Sequence, residues 1–187
     1  MIIVNTVIYI RENLGGSESD VAMALSAAGF GSMLAAISLP KILDRIQDRP
    51  VMLSGSLIMA IGLVLISWSP SFYAVIPIWF LIGLGWSLVQ TPAGRVINRS
   101  SSPSDRSAYF SAQFALSHAC WLIFYLFAGL ISTRYGIETT AALLAVSILL
   151  FTILAALLWP KEDKVVLIHT HSEKIHEHKH IHDSHHN

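Results

Sequence analysis

The sequence predicts an all-α integral membrane protein: a bundle of five full transmembrane helices after a truncated first one, followed by a disordered cytoplasmic tail. Residues 51–94 contain no Asp, Glu, Lys or Arg, and the turn signal Ser69-Pro70-Ser71 divides them. The chain is 53% hydrophobic and 13% charged, with a mean hydropathy of +0.59, whereas soluble domains are about 25% charged. Backbone polar groups in lipid must be satisfied within their own segment, so these apolar runs are predicted to be helical.

The first predicted span is incomplete. Its uncharged part, residues 1–10, reaches about 15 Å at about 1.5 Å per residue, half of the roughly 30 Å of hydrocarbon. A polar loop follows, in which Ser17 or Ser19 is expected to cap the next helix. The predicted spans are residues 1–12 (partial), 21–40, 51–68, 72–94, 107–133 and 139–160, and residues 161–187 form the tail.

Small residues recur on one face of the second span. Ala27, Gly31 and Ala35 are spaced four apart, a pattern that lets helices approach closely in lipid. The pattern predicts a packing face rather than a chemical site.

Basic residues predict the orientation. Ten of them lie in alternate loops and in the tail: Lys41, Arg45, Arg49, Arg95, Arg99, Arg106, Lys161, Lys164, Lys174 and Lys179. Cytoplasmic loops are enriched in Lys and Arg. The C-terminus is therefore predicted to be cytoplasmic, in what we expect to be a bacterial inner membrane.

Some function classes are disfavoured by composition. Lys plus Arg equals Asp plus Glu at 12 each, so no basic excess points to nucleic acid. The single cysteine, Cys120, cannot form an intrachain disulfide. No nucleophile with its base, no glycine-rich phosphate loop and no intramembrane carboxylate pair occurs in the sequence, and no enzyme is predicted.

The loop of residues 40–49, PKILDRIQDR, resembles the signature loop of the major facilitator superfamily in keeping Asp44, Arg45 and Arg49. It lacks the signature's glycines and has Asp48 where a basic residue is usual. The span count and the cytoplasmic C-terminus resemble the C-terminal half of such a transporter. Residues 90–95 and 112–121, together with the histidine-rich end, resemble a branch that includes nickel-resistance exporters.

Polar residues within the spans are candidate pathway residues, because polar groups in hydrocarbon usually face a bundle interior or a watery cavity. His118 could bind a divalent metal or carry a proton, or it could simply bond a neighbouring helix. Gln113 is four residues from Ser117 and could share that face. The resemblance implies that the first and fourth helices line the cavity, which adds Asn5 and Gln90.

The tail has the highest density of metal-ligating side chains in the sequence. Eight histidines fall within its last part: His169, His171, His176, His178, His180, His182, His185 and His186. Imidazole suits nickel, cobalt, zinc and copper, and we expect a bound divalent metal here but no required cofactor. The alternative is a low-complexity segment whose histidines change only its charge.

Two function classes follow. One is a secondary transporter, proton-coupled and exporting a small solute or a divalent metal such as nickel. The other is a membrane-anchored metal-binding or regulatory protein that transports nothing. Superfamily sites lie between two halves, and Met1 in mid-span predicts a fragment; the expected partners are the bilayer and either an N-terminal half or a second copy of this chain.

Overall fold

A computed structural model describes residues 2–68 and 70–160, with side chains from Asn5 onward. The elements are α1 (Ile2–Ile8), a π-helix continuing it (Tyr9–Asn13), α2 (Glu18–Leu43), α3 (Asp48–Ile66), α4 (Phe72–Ser100) and α5 (Arg106–Leu158). The all-helical class predicted from the sequence is confirmed. The histidine-rich tail lies outside the described residues.

The five complete spans predicted correspond to α2, α3, α4 and the two parts of α5. Within the described ranges, α2 to α5 are long and apolar enough to cross a membrane, and α5 consists of two helices that meet at a kink. The expected loop of residues 134–138 is shortened to that kink. Its one non-helical residue is Gly136, at φ 83° and ψ 168°, a conformation that glycine adopts without a Cβ penalty. Gly136 divides α5 into a first arm, residues 106–135, and a second arm, residues 137–158.

The start of α2 shows how local sequence sets a helix boundary. The Ser17 hydroxyl accepts a bond from the Asp20 N–H at 3.3 Å, and the Asp20 carboxylate accepts one from the Ser17 N–H at 2.7 Å. This reciprocal capping box satisfies two backbone donors that the first turn leaves without partners. The cap expected at Ser17 is confirmed, and α4 extends to Ser100, beyond its predicted span.

Helix α4 packs between α2 and α3 through glycines. A Cβ placed on Gly83 would overlap the carbonyl of Ala28 in α2. On the side facing α3, a Cβ on Gly85 would lie 2.6 Å from the carbonyl oxygen of Gly55. Gly31 of the predicted packing face is buried against the backbone of Phe80. The three helices therefore approach so closely that larger side chains do not fit.

The two arms of α5 are packed very differently. The second arm buries Ile137, Ala141, Leu144 and Ala145 in the main core, whereas Ala128 is the buried residue of the first arm. The same core includes Tyr9, Ile10 and Trp79, which tie α1 to α4. The first arm consequently leaves most of its surface open in this chain.

Candidate functional site

An open face forms where α4 meets the first arm of α5. The rings of Trp86 and Trp121 are 6.0 Å apart, and a Cβ placed on Gly94 would lie 3.9 Å from the Phe110 ring. The contact further along α4 falls earlier in α5, so α4 and the first arm of α5 run antiparallel. Gln90 lies between the two contacts on α4, on the stripe that residues four apart share in a helix.

On α5, the segment between the same two contacts carries the other predicted pathway residues. Gln113 is half-buried and His118 is exposed, while Gln90 of α4 is exposed. Gln90 on α4 and the segment of α5 that carries Gln113 and His118 therefore lie between the same two contacts. We call these three residues with Trp86 and Trp121 the polar–aromatic face.

The imidazole of His118 is fixed by its own helix. Its Nδ1 lies 2.8 Å from the carbonyl oxygen of Phe114, and its ring lies 3.9 Å from the Phe114 ring and 4.9 Å from the Trp121 ring, between centroids. A carbonyl oxygen only accepts, so Nδ1 carries the hydrogen. In the neutral imidazole this leaves the lone pair on Nε2 able to take a proton or a metal ion.

Asn5 does not belong to this face. It is fully buried in α1, and its neighbour Thr6 accepts a hydrogen bond from the Trp79 indole at 3.0 Å. Trp79 lies about 16 Å from Gln90 along α4, at about 1.5 Å per residue. The structure therefore separates one of the four predicted pathway residues from the other three.

The loop between α2 and α3 is organised around Asp48, the residue that departs from the signature. Asp48 is fully buried, and its carboxylate lies 2.9 Å from Arg99 and 3.4 Å from Arg95. Two arginines four apart at the end of α4 share a helix face. That spacing is the feature of the sequence from which a common acidic partner could have been predicted.

The predicted signature residues have different roles in the same region. Arg49 donates a bond to the carbonyl of Ala156 at 2.6 Å, and a cation near a helix C-terminus interacts favourably with its last carbonyls. Asp44 and Arg45 are exposed. The start of α3 is thus joined to the ends of α4 and α5 through Asp48 and Arg49, not through Asp44 and Arg45.

Metal-ligating groups are sparse in the part of the chain that the structure describes. No group of three His, Cys, Asp or Glu residues in residues 2–68 and 70–160 could hold a metal ion. The histidines of the tail lie outside the described residues.

Long apolar helices joined by short links, with a polar–aromatic face between two of them, define a helical integral membrane protein. The family model for the Major Facilitator Superfamily matches residues 1–181. The chain belongs to this superfamily and is a transporter of that class, acting in a lipid bilayer on a small solute. Searches of curated proteins and of solved structures found no significant match. The nickel-resistance branch stays a prediction.

Proposed function

We propose that this chain forms one half of the pathway of a proton-coupled exporter of a divalent metal ion in a bacterial inner membrane. The observation that carries the proposal is the bond from His118 Nδ1 to the Phe114 carbonyl, which leaves the Nε2 lone pair of the neutral imidazole available on the polar–aromatic face. Imidazole nitrogen is a good ligand for nickel, cobalt, zinc and copper. Glutamine oxygens beside it can add weaker ligands.

Proton coupling follows from the same nitrogen. A lone pair on Nε2 holds either a proton or a metal ion, but not both. Binding a proton from one side therefore favours metal release, and losing it favours metal capture. The five complete predicted spans contain no Asp or Glu, so His118 is the residue of this half to which we assign the exchange.

A second half is needed to enclose the pathway. Secondary transporters hold their substrates between repeats near the bilayer midplane, and an exposed glutamine such as Gln90 is poorly solvated by lipid. The open first arm of α5 supports a protein partner at this face. We assign that role to an N-terminal half or to a second copy of this chain.

The tail is proposed to collect the ion in the cytoplasm. Its eight histidines would supply the ligands: His169, His171, His176, His178, His180, His182, His185 and His186. Deleting residues 169–187 should weaken nickel binding, measured by calorimetry on the purified chain, without reducing membrane insertion. Unchanged nickel affinity after the deletion would contradict this role.

Everted membrane vesicles test the transport step. Nickel uptake driven by an imposed pH gradient should be lost in His118→Ala and retained in the control Cys120→Ala, because Cys120 is also exposed on the first arm. Full uptake by His118→Ala would return His118 to a packing role. If wild-type vesicles that also contain the second half transport no nickel while the tail still binds it, the membrane-anchored metal binder is favoured instead.

A further inference from the structure

A groove runs between α2 and α4 at the end of the bundle where α2 finishes. Its volume is about 220 Å³. Five apolar side chains and one serine line it: Leu34, Ala35, Ser38, Ile42, Leu84 and Leu88. From Leu34 to Ile42 the groove extends about 12 Å along α2, at about 1.5 Å per residue. One leaflet of a bilayer contributes about 15 Å of hydrocarbon, so the groove is nearly as deep as one leaflet.

Such a groove needs an apolar occupant. Apolar cavities of about 150 Å³ stay free of water and bind molecules such as benzene, and wall atoms that face empty space lose their dispersion contacts. Leu34 on the α2 wall is 43% exposed, and Ile37, its neighbour on the helix surface, is 68% exposed. The groove therefore opens sideways onto an apolar helix surface, from which the acyl chain of a lipid can enter without displacing a helix.

Two basic residues stand where the groove reaches the end of α2. Residues seven apart in a helix lie on the same stripe, two turns from each other. Lys41 lies seven residues after Leu34, and Arg45 lies seven residues after Ser38, so both follow residues that line the groove. The backbone is still helical at this point, because the residue before Arg45 has φ −70° and ψ −22°. We call Lys41 and Arg45 the groove cations.

The acidic residue of the same segment follows a different stripe. Asp44 lies seven residues after Ile37, which does not line the groove. Of the charges in residues 41–46, the two positive ones therefore lie at the mouth of the groove, and the negative one lies to its side.

The other basic residues nearby already bind protein groups. Arg49 donates to a carbonyl of α5, and Arg95 and Arg99 flank the buried carboxylate of Asp48. The groove cations are exposed, and neither forms an ion pair with any residue in the described ranges. Their charges are therefore available to an anion from outside the chain.

We propose that the groove and the groove cations bind an anionic phospholipid. One acyl chain lies between α2 and α4, and the headgroup phosphate lies against Lys41 and Arg45. Basic pockets between transmembrane helices suit acidic headgroups, whereas a zwitterionic headgroup carries an ammonium group that offsets its phosphate. The lipid site lies on the α2 side of α4 and the polar–aromatic face on its α5 side, so the lipid site does not depend on the proposed metal transport.

A comparison of two headgroups tests the mouth of the groove. Phosphatidylglycerol and phosphatidylcholine with the same short acyl chains are titrated onto the full chain in detergent, and bound lipid is counted by native mass spectrometry. The wild-type chain should bind phosphatidylglycerol more tightly. The double variant Lys41→Gln, Arg45→Gln should bind it about five-fold more weakly per lost charge, equivalent to about 1 kcal/mol each, with phosphatidylcholine unchanged. Arg134→Gln, which removes an exposed arginine from the other end of the bundle, is the control. Equal wild-type affinity for the two lipids overturns the proposal.

Filling the groove tests the acyl chain separately from the headgroup. Ser38→Leu places a larger apolar side chain in the groove and keeps both groove cations, so it should weaken the binding of both lipids. Ser147→Leu makes the same change at a half-buried serine of the second arm of α5 and should leave lipid binding as it is. Circular dichroism on the same samples checks that the variants are folded.

Two results from the Ser38→Leu sample overturn the proposal. One is lipid binding equal to that of the wild-type chain. The other is a wild-type dimer in detergent that Ser38→Leu dissociates, because the groove would then hold a second copy of this chain. Neither measurement involves nickel, so the role of His118 is left to the vesicle assay.

Discussion

Helix α4 and the first arm of α5 are both long and apolar, yet one is packed on two sides and the other is open. Helix α4 buries nine residues, whereas the first arm buries Ala128. This difference in packing follows from the positions of the glycines in the two helices. Gly83 and Gly85 let α4 approach α2 and α3, while a Cβ on Gly129 of the first arm would meet nothing within 4 Å.

The contrast assigns different roles to the two helices. In lipid, close packing between helices depends on small residues, because apolar side chains gain little by leaving lipid for protein. Helix α4 therefore holds the bundle together and presents one remaining stripe, with Trp86 and Gln90, to α5. The first arm carries His118 on the segment that faces this stripe. Its other surfaces stay available for lipid or a partner.

The largest expected effect breaks the packed side where α3 begins and α4 ends. Asp48→Ala removes a buried carboxylate from Arg95 and Arg99, which are themselves partly exposed, and should cost about 1.5–3 kcal/mol, the range for polar contacts to charged groups. Asp44→Ala, in the same loop but exposed, should cost less than about 0.5 kcal/mol. Unfolding in a detergent–denaturant series, followed by circular dichroism, measures both. Equal losses would mean that the Asp48 network does not hold α3 to α4.

A smaller effect compares the two helices directly. Gly83→Ala forces a Cβ against the Ala28 carbonyl and should destabilise the chain by about 1–3 kcal/mol, as overpacking does. Gly129→Ala meets open space and should be neutral or stabilising by up to about 1 kcal/mol, since alanine is the better helix former. The same unfolding assay checks the two opposite signs. A destabilised Gly129→Ala would show that the first arm is packed after all.

The smallest effect concerns the start of α2, which supports the packed side of α4. Bonds from the Ser17 backbone N–H, and then from its hydroxyl, lower the pKa of Asp20 below its ordinary value of 3.8. A lowered folded-state pKa contributes stability that is present above pH 3.8 and is lost as the pH falls through the folded pKa. The difference in unfolding midpoint between the wild-type chain and Asp20→Asn should therefore shrink in acid. A difference that stays constant from pH 7 to pH 3 would contradict this, and Asp44→Asn serves as the control.

Much of the fold was predictable because its signals are local. Apolar runs, the turn at residues 69–71 and the cap at Ser17 each depend on a few neighbouring residues. The junction near Gly136 was harder to predict. A single glycine suffices for the change of direction there, so helix extends on both sides of it without a separate loop. The expected loop of residues 134–138 was therefore replaced by a kink.

The candidate site was predictable only in part. Gln113 and His118 were identified from their polarity within a span and Gln90 from the resemblance, whereas the antiparallel register that brings their segments side by side depends on the packing of α4 against α5. Asp48 was missed as a buried acid, because nothing in the loop itself distinguishes it from Asp44. Its burial comes from the two arginines that α4 brings to it from about fifty residues away in the sequence.

By itself, the sequence determined that this is a helical membrane protein, since the length and hydropathy of each segment suffice for that conclusion. The tertiary structure decided which polar residues meet, which are paired and which are buried without a partner, as for Asn5 beside Thr6. The physical reason is that hydropathy is a property of each segment alone. Pairing depends on the rotation and register of one helix against another, which the close contacts of a few glycines set.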